Sequence, residues 1–415
     1  MRYGVMTSKT AEEQRSGGAE ETSPSLCVSA PLLLCSSAPL LFILLSGGGM
    51  PAVHSVCVLP GDGIGPEVIE PAVAVLKQVA GQAGMDVRLQ YESIGGDALD
   101  RFGVPLPKST LLACRASDAV LLGAVGGPKW DSNLPDLRPE KGLLNIRKGL
   151  GLYGNLRPVR QIPPLLQCSS LKPEVVDGVD LVVVRELTGG LYFGKPRGIY
   201  GANGHEIGMN SMVYHRREID RIARKAFALA RLRRKKVTSV DKANVLEVSR
   251  LWRQVVTETH RVFSDVELNH QYVDNCAMQM VLRPAQFDVI LTENTFGDIL
   301  SDIGAVLTGS IGTLPSASIG DGLALYEPVH GSAPDIAGKN LANPIGAIGC
   351  VAMMFEMSFG RPDLAARITE AVDAVLDQGY RTRDLLQAGG TEVGTGEFAV
   401  RVQEQIAGVA AARSS

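Results

Sequence analysis

Two aspartates with helical spacing are the clearest candidates for metal chemistry. Asp298 and Asp302 are four residues apart, at the start of a helix that we predict over residues 299–307. Residues four apart share one face of a helix, so the two carboxylates repel each other unless a positive charge lies beside them. No His or Cys is nearby, which favours oxygen ligands and therefore Mg²⁺ or Mn²⁺. Alternatively, the acids complement the dipole at the start of the helix.

Three arginines could supply positive charge to the same region. Arg147 and Arg157 flank a glycine-rich segment, and Arg185 ends an apolar stretch. Guanidinium groups bind carboxylates through two parallel hydrogen bonds, so three of them predict a dicarboxylate substrate. Taken singly, each could instead form a surface ion pair.

One lysine is a candidate general base. Lys242 follows the predicted strand Val237–Val240, whose end would place the lysine in a cleft. A lysine held beside other cations loses its proton readily, which suits proton abstraction. A solvated lysine in a loop is the alternative.

The segment Gly61–Gly65 invites comparison with a dinucleotide-binding turn. That fingerprint has the spacing G-x-G-x-x-G, and its third glycine contacts the strand. Counted from Gly61, Pro66 occupies the third position, and counted from Gly63 it is Val68. We therefore interpret the segment as a structural turn or part of a cofactor wall, and not as a Rossmann site.

The elements that must position these residues alternate along the chain. Short apolar, β-branched runs alternate with helical periodicity, which predicts an α/β fold with layers of helices on a largely parallel sheet. Residues 186–210 break this rhythm, and their glycines and aromatics predict a projecting β arm. The predicted strands are 56–59, 87–91, 119–122, 181–184, 237–240, 266–269 and 289–291, and the main predicted helices are 66–80, 218–231, 247–260 and 299–307.

Composition excludes several classes of protein. The chain has 415 residues and a net charge of −3, so it lacks the basic footprint of a nucleic-acid binder. The basic run Arg231–Lys236 fits a solvated helix end. Seven scattered cysteines without a Cys-x-x-Cys pair argue against disulfides and a thiolate zinc site, and predict a cytoplasmic protein. Residues 1–49 fit neither a membrane span nor a signal peptide, and we expect Met50 to be the true start.

Five motifs, taken together, resemble the isocitrate/isopropylmalate family of β-decarboxylating dehydrogenases, most closely its 3-isopropylmalate members. The resemblance covers about residues 53–407. It implies two non-Rossmann α/β domains: a discontinuous cofactor-side domain of residues 50–152 and 309–415, and a second, dimerising and metal-binding domain of residues 153–308. The motifs are residues 59–67, 123–130, 184–194, 292–302 and 330–338 with 342–344.

The resemblance also implies a reaction. It is the oxidative decarboxylation of 3-isopropylmalate to 4-methyl-2-oxopentanoate and CO₂, with reduction of NAD⁺, in leucine biosynthesis. A tartrate or D-malate decarboxylating dehydrogenase is the alternative. An inactive scaffold would be expected to have lost some of the arginines, acids, lysine or tyrosine, and none is lost.

Each implied role falls on a residue of this sequence. The arginines hold the substrate carboxylates, and Asp298 and Asp302 bind Mg²⁺ or Mn²⁺ together with Asp274 of a second chain, which also contacts the substrate. Lys242 of that second chain removes the hydroxyl proton, and Tyr192 protonates the enol. The protein would therefore be a homodimer with shared active sites.

Substrate and cofactor selection can be assigned within the same resemblance. Leu143 and Leu144, one helical turn before Arg147, would form an apolar slot with Val245 for the isopropyl group. Asp335 would bind the adenosine ribose and repel a 2′-phosphate, which favours NAD over NADP. The full set of predicted cofactor contacts is His330, Gly331, Ser332, Ala333, Pro334, Asp335, Ile336, Asn343, Gly126, Gly127 and Glu140.

Overall fold

A computed structural model describes residues 53–414 of the chain, with side chains to residue 408. The predicted extension of residues 1–49 lies outside the described residues. The strands are β1 Val53–Gly61, β2 Asp86–Tyr91, β3 Ala119–Ala124, β4 Gly154–Arg160, β5 Asp180–Glu186, β6 Arg197–Tyr200, β7 Ile207–Asn210, β8 Lys236–Asp241, β9 Glu267–Tyr272, β10 Val289–Thr292, β11 Pro315–Ile319, β12 Ala324–Pro328, β13 Tyr380–Arg381 and β14 Thr391–Glu392.

Helices connect most of these strands and cover the sheet. They are α1 Gly65–Gln82, α2 Gly95–Phe102, α3 Lys108–Arg115, α4 Pro139–Gly149, α5 Pro173–Val176, α6 Arg216–Arg231, α7 Glu247–His260, α8 Val273–Leu282, α9 Asn294–Thr308, α10 Ile345–Met357, α11 Pro362–Asp377 and α12 Thr395–Ser414. None of the described helices is long and apolar enough to cross a membrane.

Ten strands form one sheet in the order β2-β1-β3-β12-β11-β4-β5-β10-β8-β9. The outer pairs are parallel, whereas β11 is antiparallel to β12 and β4, and β4 is antiparallel to β5. This mixed order differs from that of the doubly wound dinucleotide-binding fold. The predicted α/β, non-Rossmann fold class is confirmed. The division into two domains stays a prediction, since a single sheet runs through both halves.

The core forms because strands buried on both faces are continuously apolar. All six residues of β3 are buried, and helix α10 is apolar on nearly all sides. A helix of that kind needs cover all round, and α10 obtains it between α1, α11 and the strands β11 and β12. The sheet is thereby held as a rigid support for the residues at its edge.

Four parallel strands bring chemically useful residues to one edge. The register pairs Arg185 with Thr292 and Thr292 with Val240, while Asp241 pairs with Tyr272. Because β5, β10, β8 and β9 run in the same direction, their carboxyl ends meet at that edge, about 5 Å from strand to strand. The segments that follow β8, β9 and β10 therefore start side by side.

The predicted elements agree with the structure except at some boundaries. The arm is an antiparallel hairpin of β6 and β7, and all eight of its strand residues are exposed. Helix α9 begins at Asn294, five residues earlier than predicted. The basic run 231–236 begins with the last residue of α6, where Arg231 pairs with Asp265 and Arg233 with Asp180 and Asp288. This run is therefore a neutralised helix end.

Candidate active site

Arg185 forms the centre of a cluster at the carboxyl end of β5. Its Nε and Nη2 donate to Asn294 Oδ1 at 3.0 and 2.8 Å, and its Nη1 donates to Asp298 Oδ1. Its aliphatic stem packs on Gly297 of α9, where an added Cβ would come within 2.7 Å of Arg185 Cγ. The side chain is 6% exposed. Burial lowers its pKa, and Asp298 opposes that effect.

Arg157, on the antiparallel strand β4, points into the same cluster. Its Nε donates to Asn155 at 2.8 Å and its Nη1 to Ser301 at 2.6 Å. The guanidinium also lies 3.4 Å from Asp302 and 3.7 Å from Asp298. Burial, followed by repulsion from Arg185, lowers the pKa of Arg157 to about 10. Such crowding of positive charge is stabilised by a bound anion.

Arg147 completes the set of three. It lies in the last turn of α4 and pairs with Glu327 at the end of β12, 180 positions away in sequence. The side chain of Arg147 is 14% exposed and that of Arg157 is 11% exposed. The alternative that these arginines form surface ion pairs is therefore wrong for all three. The structure brings them together from α4, β4 and β5.

Tyr192 reaches this cluster from the loop that follows β5. Its hydroxyl donates to Asp298 Oδ2 at 3.0 Å, and Arg185 lies over its ring at 5.8 Å. Burial and the negative charge of Asp298 raise the pKa of the phenol, while Arg185 opposes them. Tyr192 consequently keeps its proton at neutral pH and can donate it to a substrate.

Asp298 and Asp302 lie on one face of α9, as their spacing predicts. The alternative that they complement the helix dipole is wrong, because α9 begins at Asn294 and both acids lie beyond its first turn. The buried Glu293 has that capping role instead, accepting from Thr295 and Phe296 N–H groups at 2.9 and 2.6 Å. Burial raises the pKa of Asp302, with Arg157 opposing it.

Two carboxylates with oxygen donors fit a hard divalent cation. Within residues 53–414, however, no group of three His, Cys, Asp or Glu side chains is placed to hold a metal ion. The side chain of Asp302 is 62% exposed and that of Asp298 is 35% exposed, so both remain accessible from outside the chain. A cation at this pair therefore needs further ligands from the substrate, water or another chain.

Lys242 and Asp274 form a separate pair at the ends of β8 and β9. Their charged atoms are 2.7 Å apart, and the side chains are 26% and 66% exposed. The hydrogen bond from Lys242 lowers the pKa of Asp274. Among the described contacts, none joins this pair to Asp298 or Asp302 of the same chain. The structure therefore divides the predicted catalytic residues into two groups.

The three residues of the predicted apolar slot differ in their surroundings. Leu143 is half-buried and packs on the core beneath α4. Leu144 and Val245 are exposed, at 37% and 62%. Both leucines lie on the same side of α4 as Arg147, since they precede it by four and three residues. Among the described contacts, none connects Val245 with either leucine.

The predicted cofactor residues lie in loops that meet at the turn after β1. In the loop after β12, Ser332 is buried and its carbonyl accepts from Ile64 N–H at 2.8 Å, whereas Asp335 is exposed. His330 is nine-tenths buried, its Nδ1 lies 2.9 Å from the Gly331 carbonyl, and its Nε2 has no partner among the described residues. Burial lowers the pKa of His330, so the ring is neutral. A buried ring nitrogen without a partner among the described residues can hydrogen-bond to a polar atom of a bound cofactor.

Glycines shape the same region. Gly126 has a φ of 118°, and a Cβ there would lie 2.7 Å from the carboxylate of Glu140. A Cβ on Gly63 would lie 2.0 Å from the Ser332 carbonyl. The turn after β1 thus holds the other loops by close backbone contact, which agrees with its interpretation as a structural turn. The remaining predicted contacts of this loop are Ala333, Pro334 and Ile336, which follow Ser332 directly, while Gly127 follows Gly126.

Three acids that support these loops were not assigned from the sequence. Asp62 is buried and accepts from the N–H groups of Gly96, Asp97 and Gly126 at 2.8 to 2.9 Å. Glu67 accepts from the N–H groups of Gly338 and Ala342 at the far end of the cofactor loop. Asp384 accepts from Asn343 Nδ2 at 3.0 Å. Only Asp62 and Glu67 offered a signal, because Asp62 lies within the glycine turn and Glu67 follows it by two residues.

Three largely buried guanidinium groups in one cluster are suited to binding carboxylates. A family model described as isocitrate/isopropylmalate dehydrogenase matches residues 55–402. Two relatives named 3-isopropylmalate dehydrogenase are similar to this chain. That of Aquifex aeolicus is 56% identical over 85% of this chain and 97% of its own length. That of Geobacillus kaustophilus is 57% identical over 85% and 95%.

Solved structures agree. The crystal structure of isocitrate dehydrogenase from Methylococcus capsulatus has a TM-score of 0.76 and 38% identity, covering 85% of this chain and 99% of that one. A β-decarboxylating dehydrogenase from Thermococcus kodakarensis has a TM-score of 0.71 and 39% identity, covering 86% and 97%. The chain belongs to the isocitrate/isopropylmalate dehydrogenase family, and it is an oxidoreductase.

Proposed function

We propose that this protein catalyses the oxidative decarboxylation of 3-isopropylmalate to 4-methyl-2-oxopentanoate and CO₂, reducing NAD⁺, in leucine biosynthesis. The observation that carries the proposal is the convergence of Arg147, Arg157 and Arg185, all largely buried, beside Asp298 and Tyr192. The similar relatives named above carry that enzyme name, which disfavours the alternative of a tartrate or D-malate dehydrogenase.

The charges in the cluster favour a dianionic substrate. Three arginines face Glu327, Asp298 and Asp302, so the formal charges of the cluster balance. A bound divalent cation would add two positive charges, which would balance the two negative charges of a dicarboxylate. Two N–H groups of a guanidinium are also spaced to donate to the two oxygens of one carboxylate. Cation and substrate would therefore complement each other at this site.

We assign the metal to Asp298 and Asp302, together with Asp274 of a second copy of the chain. The ion, Mg²⁺ or Mn²⁺, would act as a Lewis acid that stabilises negative charge on the substrate oxygens. The exposed carboxylates of Asp302 and Asp274 support this assignment. Two carboxylates from one chain are too few for a complete site, and a second copy supplies the third.

A homodimer follows from the same argument. Asp274 is exposed and Lys242 is partly exposed, and none of their described contacts is with the arginines or with Asp298 and Asp302 of the same chain, so they can serve the site of a second copy. The neighbouring helix α8 exposes Met278, Val281 and Leu282, at 51%, 39% and 56%. Apolar side chains clustered at a surface are typical of subunit interfaces. Lys242, as the neutral amine, would accept the hydroxyl proton, and Tyr192 would return a proton to the enol carbon.

Specificity would come from the edges of the site. Leu143 and Leu144, one turn before Arg147, together with Val245 of a second copy, would contact the isopropyl group. Hydride would pass to NAD⁺, held by the loop that contains His330 and Asp335 and bordered by Gly126, Gly127, Glu140 and Asn343. The exposed carboxylate of Asp335 suits a ribose diol and repels a 2′-phosphate. We place this reaction in the cytoplasm.

NADH formation tests the proposal directly. Purified protein is assayed with Mn²⁺, NAD⁺ and racemic 3-isopropylmalate, with D-malate and isocitrate in parallel. We expect the highest kcat/KM for 3-isopropylmalate and loss of activity with EDTA. A preference for D-malate would leave the site chemistry intact but reject the apolar slot. Inactivity on all three substrates would overturn the proposal.

A further inference from the structure

Asn294 is the first residue of α9 and is 1% exposed. Its Oδ1 accepts from two nitrogens of Arg185, at 3.0 and 2.8 Å. Its Nδ2 donates to the Gly189 carbonyl at 3.2 Å, and its backbone N–H donates to Tyr214 Oη at 2.9 Å. One buried amide thus joins the end of β5, the loop that leads to Tyr192 and the helix that carries Asp298.

The contacts of Arg185 leave a defined part of the guanidinium free. A guanidinium has five N–H groups. Asn294 accepts from Nε and Nη2, and Asp298 accepts from Nη1. One N–H group therefore remains free on Nη1 and one on Nη2. A carboxylate in a two-point contact uses two N–H groups, so these two are sufficient in number.

The neutrality of the amide is as important as its geometry. The side chain of Arg185 is 6% exposed and already pairs with one carboxylate, that of Asp298. A carboxylate at position 294 would hold the same edge of the guanidinium but would cancel its charge. An amide orients Arg185 and leaves the positive charge to attract an anionic substrate.

We propose that Asn294 is a positioning residue, which sets the orientation of Arg185 for the substrate carboxylate and ties Arg185 to the Tyr192 loop. This inference rests on the proposed function, since it assumes that Arg185 binds a substrate carboxylate. Asn294 acts through Arg185, so its loss should weaken substrate binding before it affects the cofactor.

The test is calorimetric titration of 3-isopropylmalate into protein with Mn²⁺ and without NAD⁺, so that no turnover occurs. For Asn294→Ala we expect the Kd to rise about ten- to a hundredfold, as for the loss of a hydrogen bond to a charged group. Asn294→Asp is nearly isosteric and should weaken binding further, because it cancels the charge of Arg185. The Kd for NAD⁺ should stay within about twofold in both variants. In turnover, KM should rise more than kcat falls.

Thr308→Val is the matched control, since Thr308 is buried in the same helix and bonds only at its far end. An unchanged substrate Kd in Asn294→Ala would overturn the inference. So would a parallel rise in the NAD⁺ Kd, which would indicate a general loss of structure.

If the wild-type protein fails to bind 3-isopropylmalate, the proposed function fails instead. The same variants are then titrated with D-malate and isocitrate, and equal affinities of Asn294→Ala and wild type, or no binding at all, would overturn the role of Asn294.

Discussion

The hydroxyl of Tyr192 donates to Asp298 Oδ2 at 3.0 Å, and Arg185 binds the other oxygen of the same carboxylate. The proposed proton donor and the proposed carboxylate-binding arginine therefore both bond to the carboxylate that we assign to the metal. Movement of Asp298 would disturb both of these bonds. Tyr192 and Arg185 therefore also fix the orientation of the carboxylate for the proposed cation.

Removing the phenol hydroxyl should slow the reaction without unfolding the protein. In Tyr192→Phe we expect kcat to fall about 10²- to 10⁴-fold, as for loss of a positioned proton donor, while KM changes little. Steady-state NADH formation measures both values. Tyr200→Phe is the control, since this residue lies on the exposed hairpin and bonds only to the Arg197 carbonyl. Equal kcat values for the two variants would remove Tyr192 from the mechanism.

Removing one acid of α9 should weaken metal binding. In Asp302→Asn we expect the Kd for Mn²⁺ to rise at least about tenfold, because even outer partners of a metal site contribute that much. Electron paramagnetic resonance of free Mn²⁺ measures the Kd without turnover. Asp363→Asn, a surface acid paired with Arg361 at the start of α11, should bind Mn²⁺ as the wild type does. Unaltered affinity in Asp302→Asn would place the metal elsewhere.

The exposed acid of the cofactor loop should decide between NAD and NADP. In Asp335→Ala we expect kcat/KM for NAD⁺ to fall about tenfold, which corresponds to loss of one hydrogen bond to a charged group. The value for NADP⁺ should rise, since a repulsive charge is removed. Assays with both cofactors measure the ratio, and Asp377→Ala, exposed at the end of α11, serves as control. A ratio equal to that of the control would reject this role of Asp335.

Asp288, a buried acid away from the site, should contribute strongly to the free energy of unfolding. Asp288 is 1% exposed and accepts from Arg233 Nε at 2.8 Å and from the N–H groups of Arg234 and Lys236. In Asp288→Ala these donors lose their partner, and we expect the free energy of unfolding to fall by about 3 kcal/mol. Urea unfolding at fixed protein concentration measures it.

The exposed pair of Arg231 and Asp265 gives the contrast to that variant. Asp265→Ala should change the free energy of unfolding by less than about 1 kcal/mol, because surface ion pairs are screened by water. Equal losses in Asp265→Ala and Asp288→Ala would contradict the importance of burial here.

Local patterns were sufficient for much of the fold. Strand β8 was predicted over 237–240 and is observed over Lys236–Asp241, and helix α7 was predicted and is observed over Glu247–His260. Side chains alternate or repeat with the period of their own element, so these assignments need no distant partner. The start of α9 could not be found in this way, because Glu293 caps it from a buried position that only the packed sheet creates.

The candidate catalytic residues were visible in the sequence, since their types, spacing and motifs are local properties, whereas the supporting residues Asp384 and Asn294 were not assigned there. The spacing placed Asp298 and Asp302 on one helical face, and the motifs gave the family. The tertiary structure alone decided their partners: Arg147 with Glu327, Arg185 with Asn294, and Lys242 with Asp274 instead of the acids of α9. Partners that lie far apart in the chain depend on strand order and direction, which local periodicity does not encode.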